Sequence, residues 1–383
     1  MKDPEYYLNC GYEDHGYVSP ELSSSEEYPD YIKEEVLDSV KTIQSHQDTH
    51  TVTFAFMTDL HYALSYNHEV RMKRTVNAYK EIAKRAHIDK LIFGGDYTNE
   101  GAKGYKADCY RELRAQWSGI NYYPVHGNHD DGSIWDKSYI KAEKSTNHFS
   151  HPELYTLFYN HLPYIGAEFD KKNHSLYYMV NDTAKKIRYV CLDTGDLPYK
   201  FDENGKLLYL GQWLFAMSQA QHDWLINEAL CFDEEGWSIA FFMHSVLRPS
   251  LDRNDPENIT RHLAPLTDIV DAYKNGDSIN KEYFSDEADL KVTVKADFSD
   301  GKKAEVIGFF VGDYHTDAVE FSDSGIPYIL TANAVMYSPP HYTVQRYDGD
   351  KSEILFDVVT VDKKEHTIHI TRVGGGEDRT VKY

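Results

Sequence analysis

The sequence predicts an α/β protein, a sandwich of two sheets with helices outside, in one principal domain. Three observations predict it. From residue 51 onward, short apolar runs alternate with stretches of helical spacing, the rhythm of βαβ units in a largely parallel sheet. The runs at 51–58, 90–93 and 121–125 each end in a polar block of Asp, His, Asn or Gly. Those blocks therefore fall at the carboxyl ends of strands, where ligand groups gather in such sheets. A further series of short strand-like runs occupies the last third of the chain and supplies a second sheet.

Taken in order, residues 1–50 are acidic and rich in tyrosine and serine, with Ser23-Ser24-Ser25-Glu26-Glu27 the most loop-like stretch. A short helix is expected from near Asp30, on an extension that lies on the domain or is partly disordered. Residues 51–58 read as a buried strand ending in Asp59-Leu60-His61, and 69–87 as a helix through Val70, Val76, Ile82 and Ala83. The strand at 90–93 runs into Gly94-Gly95-Asp96. A helix near 104–117 precedes the strand at 121–125, which ends in His126-Gly127-Asn128-His129-Asp130. Residues 176–180 and 188–192 form a hairpin pair, 218–230 a helix, and 237–243 a strand ending at His244. Residues 276–302 read as a polar insertion. Strands follow at 305–311, 318–321 and 328–331, with two more in the tail at 354–361 and 367–371. The expected domains are an extension (1–50), one catalytic-sized domain (51–345), and C-terminal strands (346–383) packed on it.

Composition narrows the classes of function. With 40 basic against 62 acidic residues the formal charge is −22. Such a field repels nucleic-acid backbones at long range, so non-specific binding of DNA or RNA is not expected. Phosphate chemistry stays open, because bound divalent cations dominate the field around them. No apolar run approaches the ~18 residues of a membrane span. Met1-Lys2-Asp3-Pro4-Glu5 opens no apolar signal segment. Cys10, Cys109, Cys191 and Cys231 are scattered without CxxC spacing and read as isolated thiols, which fits a cytoplasmic protein.

Singly the polar blocks carry little. Asp-x-His occurs three times and Gly-Asp five times in this chain. Five blocks in order are another matter: Asp59-Leu60-His61, Gly95-Asp96, Gly127-Asn128-His129-Asp130, His244, and Gly312-Asp313-Tyr314-His315. With them the chain resembles the calcineurin-like metallophosphoesterases, whose pattern is DxH, GD, GNH(D/E), H and GHxH. The stretch Ser218-Gln219-Ala220-Gln221-His222-Asp223-Trp224-Leu225, opening the helix before the lone histidine, fits the same family. The resemblance spans residues 51–331 and implies an αββα sandwich of the metallo-dependent phosphatase type.

It also implies dinuclear, metal-dependent hydrolysis of a small phosphomonoester or phosphodiester by a hydroxide held between two divalent cations, Mn²⁺, Fe²⁺ or Zn²⁺. Two cations ~3.5–4 Å apart need a bridging carboxylate with nitrogen and oxygen ligands around it. By resemblance, Asp59, His61 and His315 hold the first cation, Asp96 bridges, and Asn128 and His244 hold the second. His129 stabilises transition-state charge or protonates the leaving oxygen, and Asp130 orients it. The chain departs from the family at Asp313, where the pattern has histidine. Its carboxylate either replaces the imidazole, favouring Mn²⁺, Fe²⁺ or Mg²⁺ over Zn²⁺, or is too short to reach. In the second case the chain is an inactive or specialised member, a binding or structural module with an incomplete second site.

Weaker features surround these blocks. Arg248, Arg253, Arg261 and His262 follow His244 and could clamp a phosphate, although most surface arginines do not. Tyr97, Asn99 and Tyr314 flank ligand positions and either line a cleft or pack. Gly374-Gly375-Gly376 reads as a turn, since no GxxxxGK[ST] pattern exists in the chain. Neither GxSxG nor HExxH occurs. Substrate choice is expected from loops at 132–175, 195–217 and 248–302.

Overall fold

The structure is a computed structural model that describes residues 26–99, 101–133, 147–170, 175–211, 214–245, 261–336 and 343–383. Cys10, Arg248, Arg253, the first 25 residues of the N-terminal extension and parts of the three substrate loops lie outside the described residues. The chain divides into two compact units. The first comprises Met1–Tyr123, Gly312–Ala318 and Leu330–Tyr383, and the second Pro124–Val311 and Val319–Ile329.

The first unit is built on a six-stranded sheet. Its N-terminal half supplies β1 (Thr51–Met57), β2 (Lys90–Phe93) and β3 (Tyr123–Pro124), and its C-terminal half β13 (Leu355–Asp362), β14 (Thr367–Gly374) and β15 (Arg379–Lys382). The order is β15-β14-β13-β1-β2-β3. Every residue of β1 is buried, which is why Thr-Val-Thr-Phe-Ala-Phe-Met reads as an apolar run rather than an alternation. β1 runs parallel to β2, with Phe54 opposite Lys90, and antiparallel to β13, with Thr51 opposite Asp362. The tail strands are therefore neighbours of the first motif strand. β15 was not expected; the turn at Gly374–Gly376 is short enough for the chain to re-enter the sheet at Arg379.

Helices α1 (Asp30–His46), α2 (Tyr66–Arg85) and α3 (Lys103–Gln116) belong to the same unit. The Ser65 hydroxyl caps α2 by accepting from the His68 amide. α1 is longer than its charged composition suggests. It buries Ile32, Val36, Val40 and Ile43 on one stripe, and Glu35 accepts from the Gly374 amide of β14 at 2.9 Å.

The second unit has a seven-stranded sheet of β4 (Ala167–Phe169), β5 (Tyr178–Asp182), β6 (Ile187–Cys191), β7 (Ser238–Met243), β10 (Glu305–Val311), β11 (Ala318–Phe321) and β12 (Pro327–Leu330). The order is β11-β12-β10-β7-β6-β5-β4, with β10, β7 and β6 mutually parallel. Phe241 stacks on Phe309 and Phe242 on Phe310, at 4.7 and 5.2 Å between ring centroids. The expected helix at 218–230 is α-helical over Gln219–Trp224 and then widens into a π turn at Leu225–Ala229. The polar stretch at 276–302 is a hairpin of β8 (Ser278–Tyr283) and β9 (Val292–Asp297) that follows a helix at Ala264–Asn275. Its alternation is short, and only Val292, Val294 and Tyr283 face inward, so the pattern was easily read as loop.

Candidate metal centre

In the first unit, the chain leaves β1 and β2 side by side. Gly94 donates to the Met57 carbonyl, Asp59 to Gly95, and His61 to Asp96, all at 2.8–3.0 Å. These backbone bonds fix Asp59, His61 and Asp96 before any side chain acts. Eight non-glycine residues have positive φ among the described residues. Five of them are Asp59 (54°), His61 (37°), Asp96 (53°), Asp313 (69°) and His315 (52°). A non-glycine residue in that region costs about 1–3 kcal/mol and persists only where the surroundings over-determine it. That strain sits on the five positions of this unit that the sequence singles out.

The side chains converge. His61 Nε2 and His315 Nε2 lie 3.0 Å apart, and Asp59 Oδ1 is 3.1 Å from His315 Nε2 and 3.8 Å from His61 Nε2. Asp96 Oδ2 is 3.5 Å from His61 Nε2. Asp59, His61, Asp96 and His315 are all buried. The Asp59 carboxylate divides its work: Oδ2 accepts from the Thr58 hydroxyl at 2.7 Å and the Asp313 amide at 3.1 Å. Oδ1 is buried and makes no hydrogen bond. Two imidazole nitrogens and one carboxylate oxygen, all within 4.8 Å of one another, suit a divalent cation. The 3.0 Å nitrogen–nitrogen spacing is what two ~2.1 Å metal bonds span at roughly a right angle.

Asp313 enters this set through its backbone, and its carboxylate is not part of the Asp59–His61–His315 group. The approach requires Gly312: a Cβ there would collide with Thr58 Oγ1 and lie 2.7 Å from Asp59 Oδ2. Asp317, two residues past His315, is gripped by Arg372 of β14 through two bonds of 2.7 and 2.9 Å. Arg372 Nε also donates to Asp357 of β13 at 2.7 Å, so the C-terminal strands anchor the loop that carries His315.

In the second unit, His244 immediately follows β7, is fully buried, and places Nε2 2.9 Å from Asn128 Oδ1. Asn128 lies in a tight turn in which Asp130 donates to the Gly127 carbonyl at 3.1 Å. The Asp130 carboxylate accepts the Gly127 amide in return at 2.8 Å. Asp130 thus shapes the turn that presents the half-buried His129.

Sequence reasoning missed a neighbouring cluster. His126 Nδ1 bonds Asp193 Oδ1 at 2.8 Å, and His151 Nε2 lies 4.0 Å from Asp193 Oδ2. Burial pushes the His126 imidazole down, but the Asp193 carboxylate outweighs it and raises the group to about 9. The signal was present: Asp193-Thr194-Gly195-Asp196 leaves a strand as the other blocks do. The Ser218–Leu225 stretch also acquires a role. Gln221 clamps the Asp193 backbone, accepting its amide at 2.9 Å and donating to its carbonyl at 2.8 Å.

The other flagged residues make local contacts. The Tyr97 hydroxyl donates to the Phe93 carbonyl in the core, and Asn99 is buried. Arg261 and His262 both pair with Glu287. Cys109, Cys191 and Cys231 are free thiols. No described helix is long and apolar enough to cross a membrane.

Residues 52–290 match the model of the calcineurin-like phosphoesterases. The chain belongs to that family. It is therefore a hydrolase of phosphoesters, with a fold of the metallo-dependent phosphatase type. Among solved structures it is similar to a dimetal phosphatase from Danio rerio, at 14% identity and a TM-score of 0.54, covering 87% of this chain and 99% of that one. It is also similar to a phosphopantetheinyl hydrolase from Mycobacterium tuberculosis, at 13% identity and a TM-score of 0.35 over 75% and 91% of the two chains. An NAD nucleotidase from Haemophilus influenzae matches at 12% identity and a TM-score of 0.36, over 86% of this chain and 49% of that one. No curated protein matches the sequence. Hydrolysis in this family depends on two metals, and the clustered His and Asp side chains fit that requirement.

Proposed function

We propose that this phosphoesterase hydrolyses a small phosphodiester or phosphomonoester with two divalent cations. The observation that carries the reading is the convergence of His61 Nε2, His315 Nε2 and Asp59 Oδ1 in a buried, backbone-strained set. Asp59, His61 and His315 hold one cation in this reading, Asn128 and His244 hold the other, and Asp96 serves both. When bound, the cations polarise the phosphoryl oxygens and lower the pKa of water toward neutrality. Where the Asp313 carboxylate reaches the second cation it would add a hard oxygen ligand and favour Mn²⁺, Fe²⁺ or Mg²⁺ over Zn²⁺; where it is too short, that cation would be held more weakly.

The chain's own residues do the rest. His129 donates a proton to the leaving-group oxygen or a hydrogen bond to the charge developing on the phosphoryl oxygens. Asp130 supports it by closing the Gly127–Asp130 turn. The net charge of −22 turns away long polyanions, which favours small esters.

The test is Mn²⁺-stimulated hydrolysis of bis-p-nitrophenyl and p-nitrophenyl phosphate. Turnover by the wild type is expected, lost in Asp96→Ala and lowered about 10²–10⁴-fold in His129→Ala. A protein that turns over neither ester with any divalent cation would replace this reading with a binding module lacking its second cation.

A further inference from the structure

Asn128 reaches its predicted ligand position from a strand, β3, that is only two residues long, so that strand gives the following loop little support. The support comes instead from two other strand ends. β6 and β7 are parallel neighbours with Cys191 opposite Phe242, and the Leu192 amide donates to the Phe242 carbonyl at 2.8 Å. Asp193 and His244 therefore leave adjacent strands at the same level. The loop grips both with alternate residues: His126 Nδ1 on Asp193 Oδ1 at 2.8 Å, and Asn128 Oδ1 on His244 Nε2 at 2.9 Å.

The grip on Asp193 is built rather than incidental. His126 is 4% exposed and Asp193 is fully buried. Asp193 Oδ1 also accepts the Gly195 amide at 2.9 Å, and a Cβ at Gly195 would come within 3.0 Å of the His126 ring. Behind Asp193, the Gln221 amide locks its backbone, while the Ser218 hydroxyl and Gln221 both donate to Asp196. A line of fixed contacts thus runs from the Gln219–Trp224 helix through Asp193 and His126 to the Asn128 turn. We infer that Asp193 and His126 are positioning residues that set Asn128 against His244 for the second cation. The inference rests on reading Asn128 and His244 as cation ligands. His151 touches the same Asp193 from the other side, T-shaped to His126 at 5.8 Å between centroids.

The experiment is calorimetric titration of the metal-free full chain with Mn²⁺, for wild type, Asp193→Asn, His126→Ala and His126→Lys. Asp193→Asn keeps the side-chain shape and an acceptor for the Gly195 amide while removing the charge. Two cation equivalents are expected for the wild type. In Asp193→Asn and His126→Ala one equivalent should keep its affinity and the other weaken about 10–100-fold. His126→Lys, which restores a cation beside Asp193, should recover most of that loss. Equal affinities in wild type and Asp193→Asn would overturn the inference, whether or not the melting temperature falls. A third equivalent lost in Asp193→Asn would overturn it too, making His126, Asp193 and His151 a cation site of their own. A wild type that binds fewer than two cations would instead defeat the dinuclear reading beneath it.

Discussion

Asp59 and Gly312 show how tightly the first ligand set is determined. One Asp59 oxygen is held by Thr58 and by the Asp313 amide, so the other has one direction left, toward the two imidazoles. Gly312→Ala would push against Thr58 and Asp59 at the point where three loops meet. The expected outcome is a stability loss of about 1–3 kcal/mol with weakened Mn²⁺ binding, read by urea denaturation and by metal titration. His68 bears on the same loop, because its Nδ1 accepts the Ala63 amide at 3.1 Å and so must stay unprotonated in the fold. Burial lowers it to about 4, below its ordinary 6.5. The unfolded chain then takes up the proton first. This contribution is intact above pH 6.5 and drains away as pH falls toward 4. His68→Asn, with an oxygen in place of Nδ1, should lose less stability than the wild type between pH 7 and 4.5. Equal slopes in paired urea titrations would contradict the assignment.

Residue identities at the site were legible because Asp, His and Asn in those blocks have few other reasons to follow buried strands in that order. Positive φ at Asp59, His61, Asp96, Asp313 and His315 was not, since only tertiary contacts force such residues there. The His126–Asp193 pair escaped because its partners are far apart in sequence and neither lies in one of the five blocks.

Among the elements, β1, β2 and β13 of the first unit followed from apolar runs, β15 did not, and β10 and β11 begin and end where the sequence places them. α1 was underestimated because its stripe of Ile32, Val36, Val40 and Ile43 is diluted by acidic and polar residues. The π turn at Leu225–Ala229 leaves no composition signal. The tail proved to be interior: β13 lies between β1 and β14, and Arg372 ties both Asp357 and Asp317. We propose that residues 346–383 are integral to the catalytic domain rather than an appendage. Arg372→Ala leaves the buried Asp357 carboxylate and the half-buried Asp317 carboxylate short of a partner, at a cost of about 3–5 kcal/mol, and loosens the loop bearing His315. A melting temperature unchanged in Arg372→Ala would refute that role.

For the whole molecule, the sign of the charge and the count of cations matter most. A chain at −22 draws divalent cations toward itself and repels long phosphate polymers, which suits a small ester as substrate. Fold class and family were legible in the sequence because ligand blocks and strand ends coincide throughout. Substrate identity was not, because loops that set it carry no residue pattern tied to one ester. The decisive measurement is metal content of the purified chain after loading with Mn²⁺, paired with hydrolysis of bis-p-nitrophenyl phosphate by wild type and Asp96→Ala. Two equivalents per chain, with turnover that disappears in Asp96→Ala, are the expected result. One equivalent or none, with no turnover in the wild type, would contradict a dinuclear phosphoesterase.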